Sequence, residues 1–518
     1  MCQATRQHRT REHTRRPWVG IGLALILWTA GFLGAAAAQA PGGGTLTFAT
    51  ENAFAGFDAL KARGFAICDA IVNHTICERL FDMDEDGRLI PVLGLSADCS
   101  EDGRTWTIQL RQGVVFHDGT PFDADAVLAH WTRLIDPRNR YRERALMAAI
   151  EAVEKVDAYT IRFRLAHPWP PFAGMLCNPR TLTAYIPSPK AVDADRQQRA
   201  PVGTGPFMFK EWISGERLVV VRNPRYWRAD KPRLEAIVFK PVPDEQTRFA
   251  SLRSGDLDVI WTDRGQLIAQ AAGGPALRHY QGEGNGAEII LFNTKAPPFD
   301  DVRVRRALAH AWNQPLYVSL NYKGCIPVVA HPLGAGANCP ETGYRAFDLE
   351  AARQLMAPVE SPPEFTFLHS NSQRGREIGE ITQQFFKPLG VVVQPQGLSF
   401  GAVIKKVVTG DFQASTWRIP PSLDFGPYFY LAFHSKSRSN WARYQDVEMD
   451  RLLEDQNRET DPAARARLLC RVVQLINRDV PILYRGGKRF HLLAGKKVKN
   501  IDPIRRGIPN LAEAWIEK

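Results

Sequence analysis

Two periods alternate along the chain from Gly44 onward. In GTLTFAT the apolar side chains fall on every second residue, which predicts a strand; over 68–81 they fall at helical spacing, with a turn at 82–87. The acidic turn Glu101-Asp102-Gly103 leads into TWTIQLR, where Trp106, Ile108 and Leu110 alternate with polar partners as in a half-buried antiparallel strand. After a second turn at His117-Asp118-Gly119, Asp123 is placed to cap a helix that buries Val127, Trp131 and Leu134 on one face. GPFMFKEW, a turn at Ser214-Gly215 and RLVVVRN form a hairpin, and LEAIVFKPV adds a strand, so mixed sheets are expected. Beyond Asn293 helices take over. One is capped at Asp300 or Asp301 and buries Val304, Leu308 and Ala311, another is capped by Asp348, and a long one opens at Asp461 with Pro462 in its first position and runs to Asn477. The strand PILYRG follows. The pattern predicts an α/β protein of two lobes, with late strands returning to the first.

Length and composition support that division. At 518 residues the chain exceeds what one hydrophobic core usually fills. With 44% hydrophobic and 23% charged residues, and no low-complexity tract beyond the first few dozen positions, it reads as an ordinary globular protein. Those first positions differ. Arg6, Arg9, Arg11, Arg15 and Arg16 precede an apolar run at 19–33 and then Ala38-Gln39-Ala40, the order of a signal peptide over 1–40. The apolar run is broken by glycines and is shorter than the roughly 20 residues that span a bilayer, so cleavage after Ala40 is expected in place of a retained anchor. The pair Arg15-Arg16 leaves both Sec and twin-arginine export open. No cysteine ends the apolar run, so a soluble periplasmic protein is expected and a lipid-anchored one is not.

The leader carries part of the chain's net +11, and the remainder is modestly basic. Its basic residues are scattered, with no aromatic-interleaved stripe of the kind that tracks a phosphate backbone, so nucleic acid is excluded as a partner. Cys2 leaves with the leader, and Cys68, Cys77, Cys99, Cys177, Cys325, Cys339 and Cys470 remain in an oxidising compartment. An odd number leaves at least one unpaired. None forms C-x-x-C or has histidine at zinc-finger spacing, so no metal site and no cofactor are expected. Cys325 and Cys339 bracket the Pro- and Gly-rich stretch CIPVVAHPLGAGANC, which a disulfide would close with about 3 kcal/mol of loop-entropy stabilisation. That is the expected bridge, with Cys470 a buried thiol inside its helix.

Four blocks carry a resemblance. They are LIPVLGLSADCSEDGRTWTIQLRQGVVFHDGTPFDADAVLAHW, then PVGTGPFMFKEW through VRNPRYW, then FKPVPDEQTRFASLRSGDLDVI, and LFNTKAPPFDDVRVRRALAHAWN. In this order, spanning most of the mature chain, they resemble extracytoplasmic solute-binding protein family 5, which includes dipeptide, oligopeptide and nickel binding proteins. The resemblance implies a two-lobed periplasmic binding protein of type II, enlarged with an extra N-terminal subdomain and hinged between lobes. Lobe I would span 41–288 with the inserted subdomain at about 82–198, lobe II 289–484, and 485–518 would return to lobe I through ILYRGGKRFHLL. It implies a monomeric receptor, not an enzyme, that encloses a small solute or short peptide by hinge closure and delivers it to an ABC permease and its ATPase complex in the inner membrane.

Most signature residues read as structural. His117 and Asp118 hydrogen-bond within their turn, Gly203 and Gly205 suit a tight bend, and Arg303, Arg305 and Arg306 form a solvated or ion-paired helix face. The resemblance places the ligand elsewhere: at the loop 51–58, with Asn52 and Phe54, and Phe65 nearby, and across the cleft at STWRIPPSLDFGPYFY. Trp417 matches the family's cleft tryptophan. Peptide-binding members place an aspartate three residues beyond it to pair with the ligand's amino terminus, and this chain has Pro420 there. A buried ammonium without a carboxylate is expensive, so Asp424 would have to substitute by a different loop path. Arg418 points instead to a carboxylate or phosphate that its guanidinium can clamp, or else it is a surface arginine. The solute is therefore expected not to be a simple free dipeptide.

Two other classes compete: an exported hydrolase and a peptide-holding folding assistant. The first finds little support. Gly94 to Asp98 lacks the second glycine of a nucleophile elbow, no H-E-x-x-H occurs, and GEGNG at 282–286 neither completes G-x-G-x-x-G nor opens a clear helix.

Overall fold

The computed structural model describes residues 43–62, 67–84, 87–274, 276–334, 337 and 339–517. The leader and Phe65 lie outside them. The expected α/β architecture is present, with most of its strands in one ten-stranded mixed sheet and a separate four-stranded one, beside two two-stranded sheets among the described residues. From one edge the large sheet runs Val392–Leu398, Glu364–Ser370, Ala414–Ile419, Leu277–Phe292, Ile482–Gly495, Val259–Trp261, Thr45–Thr50, Ala236–Pro241, Arg217–Arg222 and Phe207–Ile213.

The two central strands are long, and they join the halves. Leu277–Glu283 pairs with Arg489–Gly495, while Ala287–Leu291 pairs with Ile482–Gly487, and the register shifts between Glu283 and Ala287. On one side of that shift Phe490, Leu492 and Ala494 pack with Leu46, Phe48, Ile237 and Phe239. On the other, Ala287, Ile289, Leu291 and Tyr484 bury against one face's helices, and Ile290, Phe292 and Leu483 against the opposite face's. Two cores strung on shared strands are what a hinge requires. The sequence GEGNG is this crossing point. A Cβ on Gly282 would stand 2.5 Å from the Ile504 carbonyl oxygen, and Gly286 sits at φ 88° with its Cβ position 2.5 Å from the Ile419 oxygen. Backbone approach, and not phosphate binding, accounts for these glycines.

At the shift a charged group is buried. Glu288 accepts from Arg485 Nη2 at 2.7 Å and pairs with Lys488, and Arg485 also donates to the Tyr317 hydroxyl at 2.6 Å. Burial would raise the Glu288 carboxyl, but Lys488 and Arg485 outweigh it and hold it well below the usual carboxylate range.

The four-stranded antiparallel sheet, Gly94–Cys99, Thr105–Leu110, Thr160–Leu165 and Ile150–Asp157, is covered by the helix Ala124–Ile135. Asp123 caps that helix, its side chain accepting from Ala126 N at 3.2 Å, and Trp131 packs edge-on against Phe163 at 5.3 Å. Helix caps at Asp301, Asp348 and Asp461 also form as the pattern predicts.

The disulfide differs from expectation. Cys339 bonds to Cys470 of the helix Pro462–Asp479, with Cα atoms 5.4 Å apart, and Cys325 is a free thiol. The stretch from Cys325 to Cys339 does not close on itself. Ile326, beside Cys325, belongs to the core on one face of the sheet and Cys339 to the core on the other. The segment crosses over the hinge strands on the way, where Gly487 N donates to the Pro327 oxygen at 2.8 Å.

Candidate ligand site

One wall begins where the strand Thr45–Thr50 ends. The loop 51–58 is held by the groups around it: Ala55 N donates to Asp69 Oδ1 at 2.8 Å, Gln198 donates to the Ala55 oxygen at 3.0 Å, and both carboxylate oxygens of Asp58 accept from Arg133 Nη2, at 3.0 and 2.9 Å. Gln198 leaves no room for a side chain at Gly56, whose φ is 120°. Phe54 is buried edge-on against Trp212 at 6.1 Å, so it braces the loop from behind. Asn52 is exposed. Glu51 also keeps accessible surface, yet its carboxyl is pushed above the ordinary range by the protein packed around it, with Arg374 opposing and Asp263 adding. Among the described residues Glu51 has no hydrogen-bond or ion-pair partner.

The opposite wall is the end of the strand Ala414–Ile419. Trp417 and Arg418 are successive strand residues and so leave opposite faces. Trp417 is half-buried on one face, edge-on to Trp441 at 5.1 Å. Arg418 emerges on the other, opposite Glu288 in the register, and is exposed. The two do not converge on one ligand group. Asp424 is already committed: it caps the helix Phe425–Phe433 and takes two bonds from Arg465, at 2.7 and 2.9 Å.

Arg180, which no sequence pattern singles out, lies on the subdomain side. It is half-buried, its Nη1 is fully buried without a hydrogen-bond partner, and among the described residues its guanidinium has no carboxylate. Burial, and then the charge of Arg418, lower it to about 10. Among the described residues Arg418 has no hydrogen-bond or ion-pair partner either, and the two like charges act on one another. Tyr428, whose hydroxyl is pushed up by burial, feels Arg418 as well. The Cys68 thiol, in the first turn of the helix Ile67–Ile76, lies within electrostatic reach of both Glu51 and Arg180.

Contacts between the lobes border this space. Leu423, in the loop after Arg418, packs against the subdomain core, 3.8 Å from where a Cβ on Gly174 would stand. Elsewhere Arg374, at the start of the helix Gln373–Phe386, grips both oxygens of Asp263 at 2.6 Å, and Arg264 bridges Glu245 at 2.8 Å and Glu377 at 2.7 Å. Among the described residues no group of three or more His, Cys, Asp or Glu could hold a metal ion, and no helix is long and apolar enough to cross a membrane.

Residues 88–441 match the family model of bacterial extracellular solute-binding proteins, family 5. The chain belongs to that family. Among relatives, the glutathione-binding protein GsiB of Pectobacterium atrosepticum is 28% identical over 455 residues, covering 82% of this chain and 86% of its own. Among solved structures, the periplasmic binding protein DppA of Helicobacter pylori in complex with the peptide STSA superposes with a TM-score of 0.82 at 22% identity, covering 92% of this chain and 99% of its own. The binding protein AgaA of A. tumefaciens R10 in complex with agropinic acid gives 0.79 at 24%, covering 92% and 99%. The two-lobed fold and the four sequence blocks are thus accounted for together. The family's members are substrate-binding receptors of ABC importers. The Gly94 to Asp98 stretch, read against a hydrolase, lies in the strand Gly94–Cys99 and makes no nucleophile elbow.

Proposed function

We propose that this receptor captures a small organic anion between its lobes, with a carboxylate or phosphate of the solute held between Arg418 and Arg180. The observation that carries the reading is that the Arg180 and Arg418 guanidinium groups act on one another electrostatically and, among the described residues, neither has an acidic partner. A planar guanidinium presents two parallel donors to such a group, and a site with two of them gains most when an anion separates the charges. The loop 51–58 forms the facing wall, and Trp417 stiffens the strand that carries Arg418. Relatives named for glutathione and for agropinic acid fit an acidic solute.

In this reading 41–288 and 485–518 form one lobe and 289–484 the other, turning about the register shift between Glu283 and Ala287. The permease reads the closed arrangement. The leader is cleaved after Ala40 on export to the periplasm.

Calorimetry against two panels, free dipeptides and solutes with an added carboxylate or phosphate, tests the site on wild type and Arg418→Ala. The acidic panel should contain the tighter ligands, and Arg418→Ala should weaken them ten- to a hundredfold, about 1.5–3 kcal/mol. Tight dipeptide binding that Arg418→Ala leaves unchanged refutes the anion site.

A further inference from the structure

We infer that the lobes carry a clasp of their own, two ion pairs of crossed sign that join Asp263 and Arg264 to Arg374 and Glu377 and hold the cleft closed without any solute. The inference uses the division into lobes proposed above and does not depend on what the solute is.

The clasp joins residues 111 and 113 positions apart. Asp263 and Arg264 follow the strand Val259–Trp261, which pairs with Thr45–Thr50 and buries Val259 in the first lobe's core. Arg374 and Glu377 lie at the start of the helix Gln373–Phe386, which buries Ile378 and Phe386 in the second lobe's core. Arg374 Nη1 donates to both oxygens of Asp263 at 2.6 Å, and Arg264 Nη1 donates to Glu377 Oε2 at 2.7 Å. Each lobe thus offers one acid and one cation, in opposite order along the chain. They satisfy one another in this register, and a slip that brings Arg264 to Arg374 sets like charges together.

Beside the ion pairs the backbones meet. Gly265 opens the helix Gly265–Ala272, and a Cβ on it would stand 1.8 Å from the carbonyl oxygen of Tyr322, the last residue of the helix Gln314–Tyr322. Its φ is not positive, so glycine is required there by the approach of the other lobe and not by a turn. The Tyr322 hydroxyl accepts from Arg374, which ties the close contact to the ion pair.

Two features suit these pairs to being made and broken. Each half is held by its own lobe: Arg264 Nε donates to Glu245 at 2.8 Å and the Thr262 hydroxyl donates to Glu245 at 2.6 Å, while Gln373 donates to Glu377 at 3.0 Å and Tyr322 holds Arg374. Parting the lobes leaves these bonds in place, so closing orders few side chains afresh. The second feature is access to water. The side chains of Arg264 and Glu377 are 23% and 30% exposed, so their charges are rehydrated on separation, whereas Arg485 and Glu288 on the hinge strands, at 2% and 13%, stay paired. A receptor clasped in this way offers the solute a cleft already shaped, and loss of the clasp weakens binding by the fraction of molecules that open.

The test uses the mature receptor, unfolded in guanidinium with its disulfide intact and refolded so that no solute remains. Small-angle X-ray scattering reads the closed-to-open ratio, and thermal unfolding confirms that each variant is folded. Wild type should scatter as the closed form. Glu377→Arg and Arg264→Glu, each of which sets like charges together, should each lower the ratio about ten- to a hundredfold and enlarge the radius of gyration. The two combined should return it toward the wild-type value. Gly265→Val, which wedges the backbone contact without altering a charge, should open the cleft as well. A wild type already open without solute, single reversals that leave the radius of the folded protein unchanged, or a double reversal no more closed than the singles would each overturn the clasp.

Discussion

Replacing Arg180 by methionine should stabilise the ligand-free protein and remove its ability to bind. The side chain is half-buried, its Nη1 has no hydrogen-bond partner among the described residues, and burial together with Arg418 lowers its pKa to about 10. At about 1.4 kcal/mol per pH unit, that corresponds to roughly 3 kcal/mol by which the charged guanidinium is disfavoured in the fold. Residual contact with water in the cleft screens part of it, leaving ~1–2 kcal/mol. Methionine keeps the length and the apolar stem while removing the charge, so this amount should be regained. For a chain of this size the unfolding midpoint should rise by about 1–3 °C. The assay is differential scanning calorimetry of ligand-free protein, repeated at saturating ligand. Without ligand Arg180→Met should melt higher than wild type. With ligand the order should reverse, because a solute that binds only the folded state stabilises the wild type in proportion to its occupancy, and the variant gains nothing. A variant that melts several degrees lower without ligand would mean that the guanidinium has protein partners of its own, and the reasoning about an empty anion site would be wrong.

Two further outcomes follow from other parts of the molecule. Non-reducing peptide mapping should link Cys339 to Cys470, and Cys470→Ser should cost about 3–5 kcal/mol by freeing a loop of 131 residues, whereas Cys325→Ser should leave stability unchanged. His130 is buried, donates from Nε2 to the Thr183 oxygen at 2.9 Å, and is lowered to about 4 by burial. Its pKa is depressed in the fold, so its contribution is complete above pH ~6.5 and is lost as pH falls from there toward 4, at most about 3 kcal/mol; denaturant titrations should show this slope, and it should flatten in His130→Gln.

The capped helices were readable because each cap is a local event. Asp123, Asp301 and Asp461 stand directly before apolar residues at helical spacing, and the competing possibilities within four residues are few. The hinge was not readable for the opposite reason. Leu277–Phe292 changes core partway along, so no single alternation runs through it, and its glycines answer to Ile504 and Ile419, over a hundred residues away. The bridge failed likewise: short spacing suggested Cys325, but the chain passes from one sheet face to the other before Cys339 meets Cys470. The resemblance pointed to Arg418 and the loop 51–58, the residues on which the proposed function draws. It could not find Arg180, whose mark is the absence of a partner, a property of the packed molecule that spacing along CNPRTLTAY does not encode.

Native mass spectrometry of protein purified from the periplasm without refolding tests the central claim most directly. The account predicts that wild type carries a small organic anion that is released on unfolding and is missing from Arg180→Met and from Arg418→Ala, with both variants folded. An adduct retained at full occupancy by the two variants, or one identified as a cation or a neutral solute with no acidic group, would contradict it.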